Sequence, residues 1–170
     1  AGAHLEGLGS IEGVAEAKGE LFANLPPNAI GVVNLDDPMV RSICLPLLGT
    51  RTRLTFGRDP AADVRILDCL STRTESIVKL SLHGHGFDFP VPLFGVHQAS
   101  NVAAAVSVAL ALGSRPASIQ DGIAQVAVPG GRCRVFTQSG RNIVDDSYNA
   151  NPASMDAAFE TMSVLAGSSR

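Results

Sequence analysis

The sequence predicts an α/β fold with a parallel sheet, a small antiparallel side sheet and the beginning of a second, doubly wound unit. Short apolar runs that end in turn residues, as at residues 30–35, are typical of buried parallel strands. Residues 63–94 instead alternate between apolar and polar side chains, as antiparallel strands do. A late strand that leads through a polar turn into a helix is typical of a doubly wound unit.

The first part of the chain predicts one helix and two strands. Residues 10–25 have helical periodicity, and Ser10 is suited to be the N-cap of this helix. The apolar run at 30–35 predicts a buried strand that leads into an Asp-Asp-Pro turn. Residues 52–56 predict the next strand, which ends at Gly57.

The middle of the chain predicts the antiparallel strands and two further helices. Within residues 63–94, a His-Gly-His-Gly sequence predicts a hairpin between the strands of the side sheet. Residues 99–112 predict a helix that is apolar nearly all round, and therefore buried, and that stops at Gly113. A second helix is predicted from Ser118, where Ser-Ile-Gln-Asp offers a capping box.

A Pro-Gly-Gly sequence at residues 129–131 predicts a hinge between two domains. The first domain then covers residues 1–128, and residues 129–170 begin the second. Three elements are predicted after the hinge, namely strands at 134–138 and 142–145 and a helix that Asn151 and Pro152 begin.

Composition excludes several classes of function. The chain has 170 residues, of which 45% are hydrophobic, and this content is ample for a packed core. Its formal net charge of -3 offers no basic field for nucleic acid or for an anionic membrane surface. The longest apolar stretch, residues 102–112, is far below the ~20 residues that cross a bilayer. We therefore expect neither nucleic acid nor membrane as a partner.

The cysteines and lysines are few. Cys44, Cys69 and Cys133 form no close pair, which fits reduced thiols in a cytosol better than a disulfide framework or a zinc site. Of the 13 basic residues, only Lys18 and Lys79 are lysines.

Lys18 is unusual because the predicted helix places it on the apolar stripe. A cation there is costly unless it is paired, neutralised or able to reach water. It could lie at the edge of the stripe and pair with Glu12 or Glu20. It could also join His4 at a metal-phosphate site. The residue types alone leave both interpretations open.

Two polar clusters mark the beginnings of helices. Residues 144–152 read Val-Asp-Asp-Ser-Tyr-Asn-Ala-Asn-Pro and lie between a strand and a helix, where open α/β sheets bind ligands. Capping explains Asn151 and Pro152 but not the whole cluster. His97, Gln98 and Asn101 start the apolar helix, either as ordinary capping residues or as an amide-lined pocket for a base.

The opening segment at residues 3–10 is Ala-His-Leu-Glu-Gly-Leu-Gly-Ser. This segment, with its continuation to Glu20, and the 145–152 cluster resemble the Mur ligases, and within them the ligases that add D-alanyl-D-alanine. Sister ligases and folylpolyglutamate synthetase carry different versions of this segment and of the 145–152 cluster. The remaining segments follow in the family's order, and they are Asn34-Leu35-Asp36-Asp37, Thr55-Phe56-Gly57, residues 97–101 and residues 129–132.

The resemblance implies a fold and an activity. The chain would be the C-terminal part of a P-loop-type central domain joined to the start of a Rossmann-like C-terminal domain. The activity would be ATP-dependent amide ligation in peptidoglycan precursor synthesis. UDP-N-acetylmuramoyl-tripeptide would be activated as an acyl phosphate, which the amine of D-alanyl-D-alanine then attacks. Two Mg²⁺ ions would neutralise the transferring phosphoryl group, and the complete enzyme would be a monomer of the bacterial cytoplasm.

The resemblance also implies roles for individual residues. His4 matches a magnesium ligand, and Lys18 matches a lysine that CO₂ carbamylates into an anion at the metal site. Gln98 stands where the family usually has Asn, and Asp36 and Asp37 are expected to be turn residues. His97 and Asn101 match residues that contact the adenine, and Asp146 matches one that contacts the ribose. Arg132 matches a catalytic arginine that binds the phosphates. Tyr148 and Asn149 match residues that face the substrate.

One family motif is missing from the sequence. The loop Gly-x-x-x-x-Gly-Lys-Ser/Thr does not occur, since neither lysine follows a glycine. We therefore expect the chain to be an internal fragment that does not catalyse ligation by itself. The alternatives are another Mur or folylpolyglutamate-type ligase, or a non-catalytic nucleotide-binding module.

Overall fold

A computed structural model describes residues 9–72, 75–127, 130–132 and 134–166. His4 and the rest of the opening segment up to Leu8 lie outside these described ranges, as do Pro129 and Cys133. Within them, the strands form one five-stranded sheet and one two-stranded sheet. The strands of the larger sheet are β1 (Ile30–Asn34), β2 (Thr52–Gly57), β3 (Val64–Ser71), β4 (Ser76–Leu82) and β5 (His85–Val91).

The five strands lie in the order β1-β2-β3-β4-β5. Strands β1 and β2 are parallel, whereas β3, β4 and β5 pair antiparallel. The prediction of parallel strands together with a small set of antiparallel strands is confirmed, and the antiparallel set belongs to the same sheet. The antiparallel strands extend the parallel sheet, because β2 and β3 pair in parallel at Phe56 with Val64 and at Gly57 with Arg65.

Hydrogen bonds between Thr55 and Asp63 strengthen this junction between β2 and β3. Asp63 Oδ2 accepts hydrogen bonds from the backbone N–H of Thr55 (2.8 Å) and from its hydroxyl (2.7 Å). The N–H of Asp63 donates in turn to Thr55 Oγ1 at 3.0 Å. The carboxylate therefore attaches the start of β3 to the end of β2, which a sequence pattern does not reveal.

The helix before β1, α1 (Ile11–Ala23), begins where the sequence predicts. The Ser10 hydroxyl accepts a hydrogen bond from the N–H of Gly13 at 3.0 Å, as an N-cap does. Between β1 and β2 the chain forms a π-helical segment (Val40–Cys44) that continues into the short helix α2 (Leu45–Leu47). Neither of these two segments is predicted by the sequence pattern.

The long apolar segment forms α3 (Gln98–Ala111), which packs over the sheet. Its buried side chains join those of the sheet in one core cluster, including Val102 and Val106 from the helix and Val78 and Leu80 from β4. The prediction that this helix is buried against the sheet is confirmed. Its far side is open, since Val108 is 47% exposed and Leu112, its C-cap residue, is 81% exposed.

The next helix, α4 (Pro116–Ala124), begins two residues before the predicted start. Proline suits the first turn because its missing N–H would have no partner there. Arg115 is the N-cap residue and makes no side-chain capping bond, so the predicted capping box at Ser118 is wrong.

The last part of the chain forms a hairpin and a helix. Strands β6 (Arg134–Gln138) and β7 (Arg141–Asp145) pair antiparallel. Helix α5 (Pro152–Ala166) follows the polar turn, as predicted, and its start is capped by Asn151. Asn151 Oδ1 accepts a hydrogen bond from the N–H of Ser154 at 3.0 Å. None of the helices in the described residues is both long and apolar enough to cross a membrane.

Candidate functional site

A cleft of about 440 Å³ lies where the start of α3 faces the last part of the chain. His97 and Asn101 line it from the first turn of α3, and Arg132 and Asp146 line it from the later segments. Ser154, Ala157 and Ala158 of α5 complete the opposite wall. The structure therefore brings together the four residues to which the family resemblance assigns nucleotide contacts, although they lie up to 49 positions apart.

Polar side chains at the start of α3 are joined by hydrogen bonds. Asn101 Nδ2 donates to Gln98 Oε1 at 3.0 Å, and Gln98 Nε2 lies 2.8 Å from His97 Nε2. Gln98 is only 7% exposed, whereas Asn101 is open to solvent at the cleft. Burial lowers the pKa of His97, while the carboxylates of Asp146 and Glu160 act in the opposite direction. These contacts go beyond ordinary helix capping.

The segment before β6 packs against the turn that follows β7. The N–H of Tyr148 donates to the carbonyl oxygen of Gly131 at 2.9 Å. Gly131 has a φ of +73°, and a Cβ there would lie 3.0 Å from the nitrogen of Tyr148. The guanidinium of Arg132 lies over the ring of Tyr148. A glycine is thus required to bring Arg132 to the edge of the cleft.

The polar turn is organised by Asp145. Its Oδ1 accepts hydrogen bonds from the hydroxyl of Ser147 at 2.6 Å and from the N–H of Ser147 at 3.2 Å. These bonds lower the pKa of Asp145. Tyr148 and Asn149 are exposed, and Asn149 Oδ1 accepts the N–H of Ala150 at 2.9 Å. Asp145 therefore has a structural role, and Asp146 is the carboxylate of this pair that lines the cleft.

Lys18 lies at a different cavity, of about 330 Å³, between α1 and the segment after β1. Its side chain is exposed, which agrees with the interpretation that it lies at the edge of the apolar stripe and reaches water. Asp37 and Cys44 line the same cavity. The pKa of the Cys44 thiol is raised, first by burial and then by Asp37, and Lys18 opposes the shift.

The described residues contain no group of three or more His, Cys, Asp or Glu side chains that could hold a metal ion. Asp36 and Asp37 behave as the turn residues that the sequence predicts. Asp36 accepts the N–H of Arg58 at 2.7 Å, and Asp37 accepts that of Met39 at 2.8 Å. His4, the other predicted metal ligand, lies outside the described residues.

Sequence reasoning missed Ser154 and Ala158, which line the cleft from α5. The available signal was their spacing after Asn151, because positions three and seven residues beyond an N-cap lie on one side of a helix. The hydrogen bonds by which Gln98 joins His97 and Asn101 were also not predicted from the sequence.

Comparison with known proteins identifies the family. A family model described as the Mur ligase middle domain matches residues 1–109. The chain belongs to the Mur ligase family. UDP-N-acetylmuramoyl-tripeptide–D-alanyl-D-alanine ligase of Escherichia coli is 33% identical to it, covering 98% of the chain and 37% of that enzyme. UDP-N-acetylmuramate–L-alanine ligase of Sinorhizobium medicae is also 33% identical, covering 92% of the chain and 34% of the enzyme. This Mur ligase chain thus spans about a third of these relatives.

Solved structures of Mur ligases have the same fold as this Mur ligase chain. MurF from Acinetobacter baumannii superimposes with a TM-score of 0.89 at 27% identity, covering 96% of the chain and 36% of that structure. MurF from Thermotoga maritima, solved in complex with ADP, has a TM-score of 0.80 at 29% identity, with coverages of 94% and 36%. The α/β fold predicted from the sequence, that of a Mur ligase central domain, is therefore confirmed.

Proposed function

We propose that this chain carries the nucleotide cleft of an ATP-dependent ligase that joins D-alanyl-D-alanine to UDP-N-acetylmuramoyl-tripeptide. The observation that carries the proposal is the cleft itself, which unites His97, Asn101, Arg132 and Asp146. In this proposal residues 1–128 belong to the central domain, and residues 129–170 begin the next one. The complete enzyme would act as a monomer in the bacterial cytoplasm.

The donor set of the cleft fits a purine nucleotide. Asn101 offers both an amide oxygen and amide hydrogens, which can pair with the edge of a base. Arg132 supplies a permanent cation for phosphate oxygens, and it would stabilise the charge that develops during phosphoryl transfer. Asp146 can accept hydrogen bonds from ribose hydroxyls. Tyr148 and Asn149 lie on the same exposed turn, where a substrate could reach them.

The lysine cavity fits the proposed metal role only in part. Lys18 is exposed, so CO₂ can reach its amine, and the carbamate would be an oxygen ligand of the kind that Mg²⁺ prefers. His4 would be the second protein ligand among the residues of this chain. Two Mg²⁺ ions, when bound, would neutralise phosphate charge.

The test is substrate-dependent release of ADP by the complete ligase that contains this chain. We expect ADP release only when both D-alanyl-D-alanine and the UDP-tripeptide are present. In the control reaction the ligase receives UDP-N-acetylmuramate and L-alanine, the two compounds in the name of the Sinorhizobium medicae relative. Release with that pair, or with a folate and glutamate, would assign the chain to another ligase. ATP binding without any release would indicate a non-catalytic module.

A further inference from the structure

A bulge in β3 decides which of its side chains face α3. The pairing of β3 with β4 shifts by one residue between Ile66 and Asp68. Before this shift, Ile66 belongs to the core under α3, and after it, Cys69 packs against the same core. Ser71 lies opposite the buried Ser76 at the end of the strand pair. One extra residue in a strand reverses the faces of all side chains that follow, so without the bulge Ser71 would face away from α3.

The hydroxyl of Ser71 joins the β3–β4 hairpin to the turn before α3. Ser71 Oγ accepts a hydrogen bond from the N–H of Gly95 at 3.0 Å and another from the Ser76 hydroxyl at 3.1 Å. It donates in turn to the carbonyl oxygen of Thr72 at 3.4 Å. Gly95 is 24 positions away from Ser71 in the sequence. The Ser71 hydroxyl therefore connects two distant segments of the chain.

Gly95 depends on this acceptor because it is buried and its backbone conformation is unusual. Its φ is +108°, which L side chains rarely adopt. Its carbonyl oxygen accepts the N–H of Gln98 at 3.0 Å, at the start of α3. Its N–H is held by Ser71, and a buried N–H that loses its acceptor destabilises the conformation in which it is buried. Ser71 thus fixes the Gly95 turn, and through that turn it fixes the start of α3.

The turn that Ser71 holds forms part of the wall of the nucleotide cleft. Leu93 and His97, which lie two residues to either side of Gly95, both line the cleft. Asn101 lines it one helical turn further along α3. A displaced turn would move all three side chains relative to Arg132 and Asp146 on the other side. Small displacements of this kind reduce the affinity of a site even when they begin far from the ligand.

We propose that Ser71 is a positioning residue for nucleotide binding, because it holds the Gly95 turn and thereby places His97 and Asn101 at the cleft. This inference rests on the proposed nucleotide site and extends it to a residue on β3, beside the hairpin. Ser71 contributes to nucleotide affinity only through the position of the turn. A role confined to folding would change the stability of the protein and leave its affinity for the nucleotide unaltered.

The first test measures the dissociation constant for ADP by calorimetry on the complete ligase that contains this chain. We expect Ser71→Ala to raise it roughly two- to tenfold, the equivalent of one hydrogen bond. Ser71→Cys is a second variant with the same expected direction, because a thiol is a weak acceptor. Ser71→Thr keeps the hydroxyl and suits a strand, so it should stay close to wild type.

Ser107→Ala is the matched control for these variants. It removes a fully buried hydroxyl from α3 itself, but Ser107 donates within its own helix, to the carbonyl oxygen of Ala103 at 2.7 Å. We expect this variant to change the melting temperature and to leave the ADP dissociation constant at the wild-type value. An equal rise in the constant for Ser107→Ala and Ser71→Ala would overturn the inference.

A second measurement follows the Gly95 amide by hydrogen exchange. The amide should be protected in wild type and in Ser107→Ala, and it should lose protection in Ser71→Ala. An unprotected Gly95 amide in wild type overturns the inference, even if Ser71→Ala fails to fold. An unchanged ADP dissociation constant in folded Ser71→Ala or Ser71→Cys also overturns it. Failure of the wild-type ligase to bind ADP would instead reject the proposed nucleotide site itself, and the wild-type titration alone reveals that result.

Discussion

The guanidinium carbon of Arg132 lies 3.9 Å from the centroid of the Tyr148 ring. The two residues stand on opposite sides of the β6–β7 hairpin in the sequence, and the hydrogen bond from Tyr148 N–H to Gly131 O joins the same two segments. Arg132 is exposed, and stacking restricts a long side chain that would otherwise sample many rotamers. The cation is therefore held beside the cleft that also contains Asp146.

Replacing Tyr148 should weaken nucleotide binding through Arg132. Tyr148→Leu removes the ring, and we expect the KM for ATP of the complete ligase to rise roughly two- to fivefold, the value of an exposed cation–π contact. Tyr148→Phe keeps the ring and should leave KM close to wild type. Equal effects of the two substitutions would indicate that the hydroxyl, and not the stacking, matters.

Replacing Gly131 should disturb both stability and activity. In Gly131→Ala a side chain must adopt a φ of +73°, which costs about 1–2 kcal/mol, and its Cβ crowds the backbone of Tyr148. We expect a lower melting temperature and a higher KM for ATP. Gly130→Ala is the control, because a Cβ at Gly130 would meet nothing within 4 Å. Similar behaviour of both variants would show that the local contact is unimportant.

The proposed carbamate at Lys18 predicts a chemical rescue. Lys18→Ala in the complete ligase should abolish ADP release, and a short carboxylic acid such as acetate should restore part of it by replacing the carbamate oxygens. Lys79→Ala is the matched control, since it removes the other lysine of the chain from β4. Full activity of Lys18→Ala would show that Lys18 is an ordinary surface residue.

The lowered pKa of His97 predicts a pH dependence. Its unfolded value is about 6.5, and the folded value is lower, so the folded state binds fewer protons between these two values. Stability that is present above pH 6.5 is therefore lost as the pH falls towards the folded pKa. An NMR titration of His97 should give a pKa below 6.5. Glu160→Gln should lower it further, because Glu160 favours the charged ring; a pKa that rises in this variant would contradict the assigned interaction.

The junction between the parallel and antiparallel strands should depend on Asp63. Asp63→Ala leaves the N–H and hydroxyl of Thr55 without their acceptor, and Thr55 is 6% exposed. We expect a loss of about 1–3 kcal/mol in unfolding free energy, measured by urea denaturation. Asp88→Ala on the exposed face of β5 is the control and should stay within about 0.5 kcal/mol of wild type. A comparable loss in both variants would remove the special role of Asp63.

Local sequence patterns predicted most elements of the fold. The Ser10 cap, the strands at 30–35 and 52–56, and the Asn151 start of α5 are confirmed by the structure. The predicted capping box at Ser118 is wrong. The serine there matched the pattern of a helix start, whereas the helix begins two residues earlier, at Pro116. Such signals succeed where capping and periodicity act within a few residues of the chain.

The sequence by itself determined the helices, most of the strands and the chemical character of the polar clusters, because these depend on neighbouring residues. Only the tertiary structure decided that the antiparallel strands continue the parallel sheet, that Lys18 is exposed, and that Arg132 and Asp146 meet the start of α3. These arrangements join residues that are distant in sequence. They arise from tertiary packing. Helix α3 packs on the sheet, α5 and the turn before it pack near the start of α3, and these contacts together select one geometry from many.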